Sequence, residues 1–375
     1  MPGRVQPGAG RAIFRIESAS GRCYDSANMA QRSDEDGAGR PGVALTIATL
    51  EAHAAGEPLR IILSGFPEYP GATILEKRRY LQKNLDHLRT ALMWEPRGHA
   101  DMYGCLLTEP VNPGSHLGVL FMHNEGYSSM CGHGVIALTT AVFERGLMGV
   151  PRDLPVLRLD TPAGLVEAVP HWEGEKIASV SFLNVPSFVY ALDHRVEVPG
   201  IGPVACDVAF GGAFYAFCRA EDLGVRLVPE DFRKLIDLGM RVKRAVMASL
   251  PIRHPFETDL GFLYGTIIMG PARAAGHFGR NVCVFAEGEV DRSPTGTGVS
   301  ARAALHVARG EIGLGEPFVV ESLLGTTFTG RAVRRLAFGP HDAVIPEVSG
   351  SAHLTGTCEF LIDPADPLRH GFILR

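Results

Sequence analysis

Two short Gly-rich stretches carry the residues whose types and spacing can do chemistry, MCGHG at 130–134 and DRSPTGTG at 291–298. Each opens an apolar run of helical length. Glycines ahead of a helix let a ligand approach the backbone, and the first N–H groups of a helix lack internal partners and carry partial positive charge. Two such ends facing each other across a cleft would hold one carboxylate between them. Cys131 stands at the start of the first helix, where a thiol can fall from about 8.5 toward roughly 3.5–7.5. The alternative is a buried cysteine acting as a small hydrophobe. His133 reads best as a donor to a polar group of a substrate, with a satisfied structural histidine as the plainer alternative. A Cys–His nucleophile pair or a metal site is weakly supported. Residues i and i+2 of a helix do not face each other, and no further Cys or His cluster lies nearby to complete four ligands. Asp291 can pair with a substrate ammonium, or simply form a turn with the Ser and Pro that follow it.

The elements that must position these residues look duplicated. CGHGVIALTTAVFERG from Cys131 and TGTGVSARAALHVARG from Thr295 are offset by 164 residues and agree at six of sixteen positions, including Gly132 with Gly296 and Gly134 with Gly298. Each follows an apolar strand that ends in acidic or polar turn residues, LGVLFMHNEG in one case and VCVFAEGEVD in the other. A repeated strand, turn and helix is the economical reading. Other short apolar runs bounded by Gly, Pro or Asn read as strands: VALTIATL, LRIILSG, MYGCLLT, VLRLD, LVEAVP and ASVSFL. Three stretches break that rhythm with helical spacing: the two runs at 132–146 and 296–310, and residues 73–93. The last places Leu75, Leu81, Leu85, Leu88 and Leu92 among charges behind Thr73 as N-cap. Residues 1–42 show no hydrophobic period beyond Ile13, Phe14 and Ile16, and read as a loosely ordered extension.

Composition sets the outer limits. The chain has 375 residues, of which 46% are hydrophobic and 21% charged, which removes collagen, coiled coil and disordered chains. Two domains are expected at this length. A net charge of −5 without a basic stripe makes nucleic acid an unlikely partner. Seven cysteines without a CxxC pair form neither a disulfide framework nor a zinc ribbon. No apolar run reaches about 18 residues and no signal peptide opens the chain, so a cytoplasmic protein without a membrane span is expected.

The two Gly-rich stretches resemble the signature motifs of the proline racemase family. Further agreement runs through HAAGEPLR from His53, EPRGHADMYG from Glu95, FMHNEGYSSMCGHG from Phe121, GGAFYAF from Gly211 and VSGSAHLTGT from Val348. It covers nearly the whole chain from Val43. Family racemases and epimerases carry a second Cys where this chain has Thr295, an arrangement that resembles the branch dehydrating trans-3-hydroxy-L-proline. The resemblance implies an α+β, diaminopimelate-epimerase-like fold of two pseudo-symmetric halves, each a curled, mostly antiparallel sheet around a central helix. The expected bounds are 1–42 for the extension, 43–200 plus 344–375 for the half with the Cys131 motif, and 201–343 for the half with Thr295. It further implies Cys131 as proton acceptor and the N–H groups of Gly132, His133, Gly296 and Thr297 as a carboxylate cradle. Asp291 and the His133 side chain are placed near the ring nitrogen. No metal or organic cofactor and a homodimer are expected. His53 and His99 also fall in family-like segments, and nothing assigns them a mechanistic role.

Losing the second thiol changes the reaction that resemblance implies. Racemisation removes a proton from one face and returns one to the other, so it needs two acid/base groups. A threonine hydroxyl is too weak an acid to serve. One-base chemistry remains, and elimination needs only a leaving group beside the carbanion. In trans-3-hydroxy-L-proline the α-hydrogen and the 3-hydroxyl share a face, so Cys131 would meet both: its thiolate takes the α-proton and the resulting thiol protonates the departing hydroxyl. Loss of water gives an enamine that tautomerises to Δ1-pyrroline-2-carboxylate. Two alternatives stay open: a 4-hydroxyproline epimerase or proline racemase with water in place of the second thiol, and a silent amino-acid-binding protein that kept the cradle.

Overall fold

Strand-forming runs and two mostly apolar helices organise the chain into two similar halves. The computed structural model describes residues 15–17, 23–25 and 44–374. Most of the expected extension lies outside the described residues; within it, Arg15–Glu17 pairs antiparallel with Cys23–Asp25.

In the first half, Leu45–Ala54, Glu57–Ser64, Tyr103–Thr108, Leu117–His123, Leu157–Thr161, Gly164–Glu173 and Lys176–Leu183 curl around the helix Gly132–Arg145. In the second, Ser187–Val198, Gly202–Phe210, Phe214–Arg219, Leu263–Gly270, Gly279–Phe285, Phe318–Glu321 and Thr327–Phe338 curl around Gly296–Ala308. Pairing is mostly antiparallel. Each half has two parallel steps, at matching places: Glu57–Ser64 with Tyr103–Thr108 and Leu117–His123 with Leu157–Thr161, then Phe214–Arg219 with Leu263–Gly270 and Gly279–Phe285 with Phe318–Glu321. The duplication read from the two helices therefore extends to topology. His341–Gly350 pairs with strands of both halves, and Ala352–Ile362 then runs along Leu45–Ala54.

The two central helices are buried from Gly132 to Phe143 and from Gly296 to Val307. A helix surrounded by sheet has no solvent face, which is why both sequences are mostly apolar or small, and the buried Arg302 of the second is paired with Asn281 and His306. Leu117–His123 and Gly279–Phe285 are also buried end to end, and so lack the alternation of a half-exposed strand. Each helix is followed by a glycine in the left-handed region, Gly146 at φ 63° and Gly310 at φ 69°, the usual chemistry of a C-terminal stop.

Two differences from the expected helices stand out. Thr73 does cap its helix, accepting from the Glu76 N–H at 3.1 Å, but residues 73–93 are not one regular helix. A π turn, Leu81–Leu85, separates Ile74–Tyr80 from Asp86–Met93. The wider turn resets the phase so that Leu81, Leu88 and Leu92 are buried, while Leu75 and Leu85 are half-buried. A helix outside the three expected stretches, Phe232–Ser249, buries Leu235, Leu238, Val242 and Val246 on one face.

Candidate active site

The two central helices meet at their N-termini. A Cβ on Gly132 would stand 2.6 Å from the Gly296 Cα, and one on Gly296 would stand 2.7 Å from the Gly132 Cα, so this approach requires glycine on both sides. The second glycine of each turn is packed just as closely: a Cβ on Gly134 would lie 2.4 Å from Phe121 Cε1 and 2.8 Å from Cys131 Sγ, and one on Gly298 would lie 2.3 Å from Ile267 Cδ1. The helix-starting N–H groups of Gly132, His133, Gly296 and Thr297 are thereby gathered at one point, where the partial positive charges of two helices add.

Cys131, Gly132, His133, Asp291, Thr295, Gly296 and Thr297 line one cavity of about 20 Å³. That volume holds about one water molecule, which needs roughly 10–15 Å³ on this measure. That space is smaller than a five-membered ring. Other lining residues were not singled out from sequence: Glu57, Tyr103, Tyr215, Tyr264 and Cys283. The first two and Tyr215 sit in segments quoted above, HAAGEPLR, EPRGHADMYG and GGAFYAF, but nothing in spacing joins them to Cys131. His53 and His99 lie elsewhere. His53 packs on His353 with ring centroids 5.3 Å apart, and exposed His99 has Nδ1 2.7 Å from the Ala100 carbonyl oxygen.

Cys131 is the N-cap of its helix, with φ −143° and ψ 111°, and its Sγ accepts the Gly134 N–H at 3.2 Å. Because it is extended rather than helical, the i, i+2 rule does not apply to it. Sγ lies 3.3 Å from His133 Nδ1, so the expectation that the two side chains turn apart is corrected. The imidazole also meets the Tyr103 ring edge-on at 4.7 Å. Burial, with Arg292 adding to it, lowers His133 to about 3, against a hydrogen bond to the Pro58 backbone. It is a neutral imidazole. The thiol expectation is also revised. Burial pushes Cys131 well above the usual thiol range, the Gly134 N–H opposes this, and the Asp291 charge adds to it.

Thr295 faces the same space from the other half. Its φ of 68° is in the left-handed region, rare for a β-branched residue and costing on the order of 1–3 kcal/mol. A relay of turn hydrogen bonds holds it there. The Thr295 N–H donates to Ser293 Oγ at 3.1 Å, and the Ser293 N–H donates to Asp291 Oδ1 at 2.7 Å. Asp291 therefore satisfies both readings given to it: it shapes the turn and it lines the cavity. Its carboxyl is raised by burial, against the hydrogen bonds from Ser293. Thr297 is fixed by the Tyr215 hydroxyl, 2.7 Å from its Oγ1.

Residues 49–373 match the family model described as proline racemase. The trans-3-hydroxy-L-proline dehydratase of Colwellia psychrerythraea is 50% identical over 331 residues, 88% of this chain and 93% of that protein. The 3-hydroxyproline 2-epimerase of Burkholderia multivorans is 45% identical over 335 residues, covering 89% and 99%. Among solved structures, a hydroxyproline epimerase from Agrobacterium vitis with bound trans-4-hydroxy-L-proline superposes with a TM-score of 0.82 at 29% identity, over 88% of this chain and 95% of that one.

Proposed function

The chain belongs to the proline racemase family, and from that membership we propose that it dehydrates trans-3-hydroxy-L-proline to Δ1-pyrroline-2-carboxylate and water, with Cys131 as the base. One observation carries the reading: across the cavity from the Cys131 thiol, the matching helix start presents the hydroxyl of Thr295. A dehydratase name on the Colwellia relative supports it.

In this mechanism the two helix N-termini hold the substrate carboxylate through the N–H groups of Gly132, His133, Gly296 and Thr297. The ring ammonium pairs with Asp291. That cation supplies the positive charge the buried thiol lacks, which favours the thiolate. Sγ then takes the α-proton, and the electron pair passes into the carboxylate as an enediolate. Preorganised N–H donors stabilise that charge, each worth on the order of 3 kcal/mol in comparable sites. The pair returns to form the C2–C3 double bond as the 3-hydroxyl leaves.

A second reading, epimerisation, is favoured by one specific feature. Cys283 also lines the cavity, close enough to Thr295 to interact with its hydroxyl, and can bring a second thiol to that side. The Burkholderia relative carries an epimerase name. The readings separate when the purified chain is given trans-3-, cis-3- and trans-4-hydroxy-L-proline and the cyclic imine is trapped with o-aminobenzaldehyde. Imine from the trans-3 isomer alone, and none with Cys131→Ser, is expected. Epimers without imine would support the second reading, and binding without turnover would mark a silent relative.

The same reading places the protein in the cytoplasm as a homodimer. Cys105, Cys131, Cys206, Cys218, Cys283 and Cys358 are free, in keeping with a reducing compartment. Sedimentation at twice the chain mass tests the dimer.

A further inference from the structure

Glu57 opens a strand in the same half as Cys131, is fully buried, and lines the same cavity. Its two oxygens are in different situations. Oε2 accepts the Arg292 backbone N–H at 2.7 Å and forms an ion pair with Arg292 Nε at 2.8 Å. Oε1 is buried with no hydrogen-bond partner. A buried polar atom left unsatisfied costs free energy that a ligand entering the cavity can recover. Burial raises Glu57 well above the usual carboxyl range; Arg292 opposes this, and Asp291 and Asp101 add to it. With Oε2 held by the Arg292 backbone N–H and facing the Arg292 guanidinium, a proton on this carboxyl belongs on Oε1. Glu57 is also near enough to Cys131 for its charge to be felt by the thiol.

We propose that Glu57 is the general acid of the dehydration, donating from Oε1 to the departing 3-hydroxyl. This rests on the dehydratase reading and puts Glu57, in place of the Cys131 thiol, behind the departing hydroxyl. The placement suits the substrate: the 3-hydroxyl shares a face with the α-hydrogen, and the half that carries Cys131 also carries Glu57. The protons balance. The C2–H bond breaks as S–H forms on Cys131, the C3–O bond breaks as the electron pair forms C2=C3, and the Glu57 proton joins the leaving oxygen as water. Glu57 is left as a carboxylate beside Arg292, and the proton held by Cys131 passes to it to restore the starting state.

The test compares two leaving groups, because fluoride departs without a proton and a hydroxyl does not. Wild type, Glu57→Gln and Glu57→Asp are assayed with trans-3-hydroxy-L-proline and trans-3-fluoro-L-proline, with melting curves and pyrrole-2-carboxylate binding as controls for folding. In Glu57→Gln, water elimination is expected to fall by roughly 10²–10⁴-fold, the usual span for a lost general acid, while fluoride elimination stays within a few-fold of wild type. Glu57→Asp, which keeps an acid at shorter reach, gives an intermediate ratio of the two rates. If Glu57→Gln does not fold, the Asp variant decides, and a ratio equal to wild type overturns the proposal. Equal loss of both eliminations, or loss of neither, also overturns it. Failure of the wild type to form imine from the hydroxy substrate would instead overturn the dehydratase reading itself.

Discussion

At Cys131 two local effects compete, and their sizes decide the outcome. A helix N-terminus is worth about 0.3–1 kcal/mol, up to ~2 in buried geometry. Full burial can move a pKa by up to 3–5 units, at roughly 1.4 kcal/mol each. Burial therefore wins, and pushes the Cys131 thiol toward its protonated form. The sign follows directly: alkylation of Cys131 by iodoacetamide, located by peptide mass mapping, should still be climbing about tenfold per pH unit above pH ~8.5, the ordinary thiol value. A plateau by pH 7.5 would show a helix-activated thiolate instead. Sequence gave the residue but not its surroundings. The approach of His133 was hidden because a helix-surface rule was applied to an extended N-cap. Thr295 is the second decisive position. Replacing it with Cys should introduce exchange of the α-hydrogen with solvent and reduce dehydration by about tenfold, a modest loss beside the 10²–10⁴ of a missing acid or base. NMR of recovered substrate checks this, and absence of exchange would mean that more than one residue separates the two chemistries.

Among the elements, the contact between the central helices sets the site. The Cβ of Gly132→Ala would meet backbone 2.6 Å away, and backbone cannot rotate aside. The helices must separate, at about 1–3 kcal/mol of stability as in other overpacked cores. An ångström of displacement in the cradle is worth about 100-fold in rate. Both effects are expected in Gly132→Ala, read by thermal melting and by imine formation; normal activity would mean the cradle is not where the substrate carboxylate binds. These helices were legible because their Gly-rich starts recur at a fixed offset. The π turn at Leu81–Leu85 was not, since a single turn with i→i+5 bonds shifts the leucine spacing of a regular helix by only about a residue. The helix Phe232–Ser249 had a readable face in Leu235, Leu238, Val242 and Val246, but no Gly-rich turn drew attention to it.

For the whole molecule, the seam between halves is closed by contacts that no local pattern announces. Glu57 meets Arg292, His123 Nδ1 lies 2.8 Å from Glu289 Oε2, and the hydroxyls of Tyr103 and Tyr264 are 3.3 Å apart. Each joins residues far apart in the chain, so duplication predicted the two halves while the residues between them emerged only from the fold. Cys131 is buried in a cavity of about 20 Å³ whose lining comes from both halves, so a ligand seated there covers the thiol. Pyrrole-2-carboxylate, a planar mimic of the intermediate, should therefore protect Cys131 from iodoacetamide by at least about tenfold at saturation, as mass action requires, while exposed Cys358 reacts unchanged. Equal protection of both cysteines would contradict a ligand seated between the halves. The central claim is one-base elimination, and the most direct measurement is NMR and mass analysis of trans-3-hydroxy-L-proline turned over in deuterated water. Conversion to Δ1-pyrroline-2-carboxylate with no 2-epimer in the recovered substrate is the predicted result; accumulation of the epimer in place of the imine would contradict it.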